Sequence, residues 1–312
     1  MTFLNKIPGS ILIFLGALCL SFGGIIVKSF EGATEWQILF WRQFFFSITV
    51  VIYLIFAYRK NFFKIFYKSG IPGFVAGLFL SIGFSAYVFA MYYTTVANTL
   101  FIITTETIFL AFFGYIFLKE KINLITFISI LLGMSGVLLI VGSSLSIQSS
   151  DQILGNVVAF LMPISFAILI IIVRKYPDID MVPAQFSAGV FAALIGYFVA
   201  GKLSISFHDL FLSFLAGFFQ IGFGFILITV GSRTTPAAVV GVLMLTEAVF
   251  GPIWAWVFIN EIPSEARLID GEEWDDEDHQ ELLEEYGIEE EEEVVETPAM
   301  DNAQVSNAEA LL

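Results

Sequence analysis

One cysteine, two histidines and 14% charged residues leave this 312-residue chain short of the side chains that do most chemistry in water. The lone thiol, Cys19, excludes an intrachain disulfide and any metal centre built on thiolates. With only His208 and His279, an imidazole metal site has too few ligands. HExxH, GxSxG and P-loop signatures are missing, so the chain does not read as an enzyme and calls for no cofactor. The few basic residues sit at the ends of apolar runs and form no face for nucleic acid. The N-terminus shows no cleavable signal pattern either. The apolar run after Lys6 continues too far and lacks a small-residue cleavage site, so it reads as a retained first span.

What the chain has in abundance is apolar surface. It is 58% hydrophobic with a mean hydropathy of +0.87, more than a soluble domain can bury, so it reads as an all-α polytopic membrane protein. The net charge of −15 conceals two unlike parts. Residues 1–260 carry 13 Lys and Arg against 9 acids, whereas residues 261–312 carry one Arg against 20 acids, with a run of five glutamates at Glu289 to Glu293. Such an acidic, apolar-poor tail is expected to be disordered, with Trp274 to Ile288 its one helix-prone stretch.

A hydrocarbon layer of about 30 Å needs about 20 apolar residues at 1.5 Å each. Nine runs qualify: 10–27, 36–57, 71–93, 97–118, 123–142, 153–173, 182–200, 211–230 and 236–258. Pro72, Pro183 and Pro236 stand at run starts, where a missing N–H costs nothing. Lys6, the Arg59–Lys68 cluster, Lys119, Lys121, Arg174, Lys175 and Arg233 fall on one side, and the positive-inside rule makes that side, with the N-terminus, cytoplasmic. The expected location is a cell (inner or plasma) membrane.

The segment Thr94 to Glu120 recurs 141 residues later as Thr235 to Glu261, with seven of 27 pairs identical, among them Glu106/Glu247 and Glu120/Glu261. Five spans separate the copies. This odd number makes residues 1–142 and 153–261 inverted-topology repeats, followed by the acidic tail at 262–312. Glu106 and Glu247 fall near the midplane, where a carboxylate costs a few kcal/mol unless paired, protonated or facing water. They either line a substrate pathway, meeting a cationic group or carrying a proton, or are protonated packing residues. Arg42, about 10 Å from the outer end of its span, either meets an anionic group or an acid, or snorkels to the interface. Gln220, Asn98 and Tyr87 complete the candidate pathway, while Tyr92 and Tyr93 read as interfacial aromatics. Glu120 and Glu261 end their helices and read as helix-end contacts. Small-residue ladders, Gly73–Gly77–Ser81–Ser85 and Ala184–Ala188–Ala192–Gly196, mark close helix packing.

Two five-helix repeats, each with Thr-Glu-x(13)-Glu on its fourth helix (Thr105-Glu106 to Glu120, and Thr246-Glu247 to Glu261), resemble the EamA-like family of the drug/metabolite transporter superfamily. Thr107 and Ala248 stand where the family carries proline after the glutamate, with Pro252 nearby in the second copy. The resemblance implies a ten-helix fold and alternating-access transport of small metabolites such as amino acids, amines or drug-like compounds, typically outward. The tenth span is not legible: adding 141 to 123–142 gives 264–283, a window with nine acids. The readings of that replacement are a nine-span variant, a frameshift or fusion junction, and a homodimer in which a second copy supplies the helix. A non-transporting scaffold with an acidic interaction tail is the alternative to transport, and lipid-linked substrate flipping is a third function.

Overall fold

The computed structural model describes residues 3–94, 96–142 and 150–259. The expectations for the acidic tail, the missing tenth span and Glu261 lie outside these residues. Every described element is helical, without a β-strand. In order they are α1 (Gly9–Leu20), α2 (Gly23–Lys28), α3 (Glu35–Tyr58), α4 (Phe62–Tyr93), α5 (Val96–Thr104), α6 (Glu106–Leu118), α7 (Leu124–Gly142), α8 (Ser150–Ala159), α9 (Leu161–Lys175), α10 (Val182–Ala200), α11 (Phe207–Phe214), α12 (Gly224–Ser232) and α13 (Ala237–Ile259). A π-helical segment, Leu215–Phe223, joins α11 to α12. Six stretches among the described residues are long and apolar enough to cross a membrane. One of them, Glu35–Tyr93, contains both α3 and α4, and Leu124–Gly136 within α7 and Ala237–Gly251 within α13 are shorter apolar stretches. The chain is therefore a multi-pass membrane protein.

Local chemistry sets the ends and breaks of these helices. Thr34 and Gln37 form a capping box at the start of α3, each side chain accepting from the other's backbone N–H at 3.4 and 2.9 Å. Within α4, Gly70 adopts φ +50°, a left-handed conformation open to glycine, and Pro72 restarts the helix two residues later. The α5/α6 boundary is unexpected. Hydropathy places Glu106 inside one continuous helix, but the Thr104 and Thr105 hydroxyls donate back to Phe101 O and Ile102 O at 2.7 and 2.6 Å. The Thr105 N–H also bonds Ile102 O, a tighter turn than the α-helical one. Glu106 thus opens α6, where the helix dipole favours a negative charge.

The core gathers where α3, α4, α9 and α12 meet. Phe46, Phe84, Phe166 and Phe225 pack edge to face there, with centroids 5.3 Å apart for Phe46–Phe84, 5.0 Å for Phe84–Phe225 and 5.9 Å for Phe166–Phe225. Such pairs add about 0.5–1.5 kcal/mol each beyond area burial. The predicted ladders meet between α4 and α10. A Cβ added to Gly77 would lie 2.6 Å from Ala184 O and 2.9 Å from Ser187 Cβ, so these backbones approach to a distance only glycine permits. Large apolar side chains instead cover the outer faces, among them Phe56, Phe63 and Ile71, and Leu124, Ile125 and Leu132 on α7. In water that surface would aggregate, whereas lipid tails solvate it.

Polar contacts define the two ends of the bundle. At one, Glu120 meets Arg174, Arg233 donates to Pro177 O at 2.8 and 2.6 Å, and Tyr58 hydrogen-bonds Asp180. At the other, Trp41 Nε1 donates to Leu203 O at 2.8 Å, and the Asp209 carboxylate, 1% exposed, accepts the N–H groups of Glu31, Gly32 and Ala33 at 3.1, 3.2 and 3.0 Å. Asp209 thereby fixes the loop that joins α2 to α3. Asp209→Ala strands three backbone donors and is expected to destabilise the protein by about 2–3 kcal/mol, with Asp209→Asn falling between it and the wild type. Thermal unfolding in detergent measures this, and a melting temperature unchanged in Asp209→Ala would show that water replaces the carboxylate.

Candidate functional site

Among the described residues two sizeable cavities border α3. A groove of about 610 Å³ against α10 is walled almost wholly by apolar groups, including Phe40, Phe44, Ile48 and Leu194. The second, about 450 Å³, is polar at its base and reaches the loop around Phe30 to Glu35. Arg42, Tyr87 and Gln220, all singled out from sequence, line it together with Ile38, Val88 and Met91.

Three helices position the polar base. Arg42 comes from α3 and is only 5% exposed, so its side chain is folded into the bundle. Its Nη2 donates to Gln220 Oε1 at 3.4 Å, and its guanidinium carbon lies 4.8 Å from the centroid of the Tyr87 ring on α4, in cation–π geometry. Gln220 sits in the π-helical segment. Its Nε2 donates to Leu20 O at 3.2 Å, at the end of α1, which turns the amide oxygen toward Arg42. The close approach of α3 to the π segment depends on Gly217: a Cβ there would lie 2.3 Å from Arg42 O. The π segment thus packs Gly217 on the Arg42 backbone and sets Gln220 within reach of the Arg42 guanidinium, and π segments often mark functional positions.

Glu247, in the uninterrupted α13, is 8% exposed, and Glu106 is 3% exposed. Glu247 lies within electrostatic reach of Arg42, Tyr87 and Glu106, yet no carboxylate of the described residues stands within 4.0 Å of the Arg42 guanidinium. Neither glutamate makes a side-chain hydrogen bond among the described residues. Asn98 is placed apart from the cavity. Its Nδ2 donates to Thr94 Oγ1 at 3.2 Å, and that hydroxyl donates to Asn156 Oδ1 at 2.6 Å, a network joining α5 to α8. Gln43, which hydropathy does not single out, is wholly buried next to Arg42 with both amide atoms lacking partners. Its place beside the candidate arginine in the same run was the available signal.

Glu120, the second acid of the motif, contacts the opposite end of the bundle. One oxygen accepts from Arg174 Nε at 2.9 Å and from Nη2. The other accepts the Ala237 N–H at 2.8 Å, at the start of α13. Lys119, left-handed at φ 56°, ends α6 and turns the chain toward these partners. Arg174 Nη1 reaches Arg233 O at 3.3 Å, so a single carboxylate fastens α6, α9 and α13 where the cavity does not open.

The chain is similar to proteins named as transporters. The chain is 27% identical over 265 residues to mouse (Mus musculus) solute carrier family 35 member G1, covering 80% of this chain and 71% of that protein. It is 28% identical over 175 residues to an uncharacterized transporter of Methanothermobacter thermautotrophicus, covering 54% of this chain and 51% of that one, so the match spans about half the length of that relative. A solved crystal structure superposes with a TM-score of 0.69 over 84% of this chain and 93% of its own, at 14% identity, a likeness of fold alone. The sequence profile of the EamA-like transporter family, a family of transporters and not of enzymes, matches residues 7–142 and 153–269, and the chain belongs to that family.

Proposed function

We propose that the chain is a secondary transporter of small metabolites that works by alternating access. The observation that carries this reading is the asymmetry of the bundle. A cavity with a buried polar base reaches one end, and the Glu120–Arg174–Ala237 contact closes the other. In this reading residues 1–142 and 153–261 form two inverted repeats with nine spans, and the repeats rock about Arg42, Gln220, Tyr87, Glu106 and Glu247. Positive-inside charge puts the N-terminus and the Arg174 end in the cytoplasm of a cell membrane, so the described state opens outward. Glu106 and Glu247 are the groups able to carry a coupling proton, and export is the working direction.

Flux in proteoliposomes tests the proposal. Uptake or efflux of amino acids and amines, with and without a pH gradient, is expected to exceed leakage from protein-free vesicles and to respond to the gradient. No flux for any solute class would leave the scaffold reading, in which the acidic 262–312 segment binds cationic partners.

A further inference from the structure

We infer that the cavity takes a small monocarboxylate, zwitterions included, and that the Arg42 guanidinium seats its carboxylate. The inference rests on the transport reading of the same cavity. It starts from a contrast between two arginines. Arg174 carries an acid on its fork, and its remaining nitrogen reaches Arg233 O, so its charge and geometry are used up inside the protein. Arg42 is more deeply buried and has neither. Its Nη1 is buried with no hydrogen-bond partner, and its Nη2 makes one long contact with a neutral amide. A guanidinium keeps its charge in proteins and costs several kcal/mol to bury without a counter-ion. The groups around it hold the fork without neutralising it: the Tyr87 ring face, the Gln220 oxygen fixed by Leu20 O, and Glu247 beyond ion-pair distance. This is a preorganised seat that lacks its anion.

The rest of the lining selects among anions. Among the described residues Arg42 is the only arginine or lysine that lines the cavity, and Glu31 and Glu35 stand at its mouth. Phosphates and dicarboxylates, which bring a second negative charge, meet two acids with one cation. A monocarboxylate is balanced by Arg42, and an ammonium group on the same molecule is attracted by the acids. The Ile38, Val88 and Met91 wall offers an apolar surface to a side chain.

The test is thermal unfolding of the purified full chain against matched probes: leucine, phenylalanine and butyrate, the amides of each, the amines formed by decarboxylating the two amino acids, and inorganic phosphate. Carboxylates are expected to raise the melting temperature, and their amides and amines to need at least about tenfold higher concentration. Phosphate is expected to leave the melting temperature unchanged. Arg42→Lys should weaken the carboxylate response about tenfold, because a point charge replaces a bidentate fork, and Arg42→Gln should remove it. Should Arg42→Gln fail to fold, the wild-type pairs decide. Amides or amines that stabilise as well as the parent acids, an Arg42→Lys response equal to wild type, or no response to any carboxylate would overturn the seat. Flux separates the two proposals. Carboxylate binding through Arg42 without flux upholds the seat and ends the transport reading. Flux of amines with no dependence on Arg42 overturns the seat and leaves transport standing.

Discussion

Glu247→Gln is expected to lower solute flux at least about tenfold while leaving the folded protein intact, since the change keeps the side chain's size and removes its charge. Glu247 is 8% exposed, makes no side-chain hydrogen bond among the described residues, and lies within electrostatic reach of Arg42 and Tyr87. A carboxylate whose task was packing would have its oxygens bonded to a backbone carbonyl or a threonine, and glutamine would substitute with little effect. Glu106→Gln should act in the same direction, because Glu106 lies within reach of Glu247 and opens α6 at the break in its span. If the acids carry the coupling proton, both variants also flatten the dependence of flux on a pH gradient. Wild-type flux and wild-type pH response in both variants would return the two glutamates to packing roles.

Glu120→Ala is expected to cost about 2–3 kcal/mol of stability, as large a structural effect as that of Asp209→Ala at the other end of the bundle. The Glu120 and Arg174 side chains are 19% and 20% exposed, so this pair is neither a solvated surface contact nor a fully dry one. Truncation removes two charge-assisted bonds to Arg174, frees the Ala237 N–H and leaves a guanidinium half-sheltered. Glu120→Gln keeps an acceptor for Ala237 and should lose roughly half as much. Melting temperature in detergent, with a cysteine-accessibility assay at the Arg174 end, reads both consequences. Under the proposed rocking motion, loosening this tie also raises access from that end. Equal melting temperatures for wild type and Glu120→Ala would mean that the contact holds nothing together.

Much of this arrangement could be read from the chain, because lipid imposes a simple rule: a backbone that cannot reach water must satisfy itself as helix. Each of the nine apolar runs falls on helix in the structure, with breaks inside 10–27, 97–118 and 153–173, Pro183 stands in the first turn of α10, and Gly70 with Pro72 separates residues 62–69 from the rest of α4. The same rule explains what stayed hidden. Where nearly every residue is apolar, hydropathy says that a polar side chain lies in the membrane but not which way it faces. Asn98 and Tyr87 looked alike in sequence; one bonds to Thr94 and the other lies under Arg42. The break at Thr105 and the π segment at Leu215–Phe223 are changes of backbone hydrogen-bond register, which an apolar run does not encode. The Arg42–Gln220 contact spans 178 residues and exists only once α1, α3 and the π segment have met.

The tie at Glu120 divides its mutational tolerance unevenly. One of its partners is a side chain, and Arg174 can be exchanged for another cation at the loss of the fork geometry. The other is the backbone N–H of residue 237, which every amino acid except proline supplies. Sequence drift at 237 therefore leaves half of the tie untouched, provided the side chain remains small enough for a wholly buried position. At 120 only a glutamate keeps the charge, the reach and both acceptor oxygens at once. The contact is thus robust to change on one side and brittle on the other, and proline at 237 is the substitution that would cut the backbone half while leaving both charges in place.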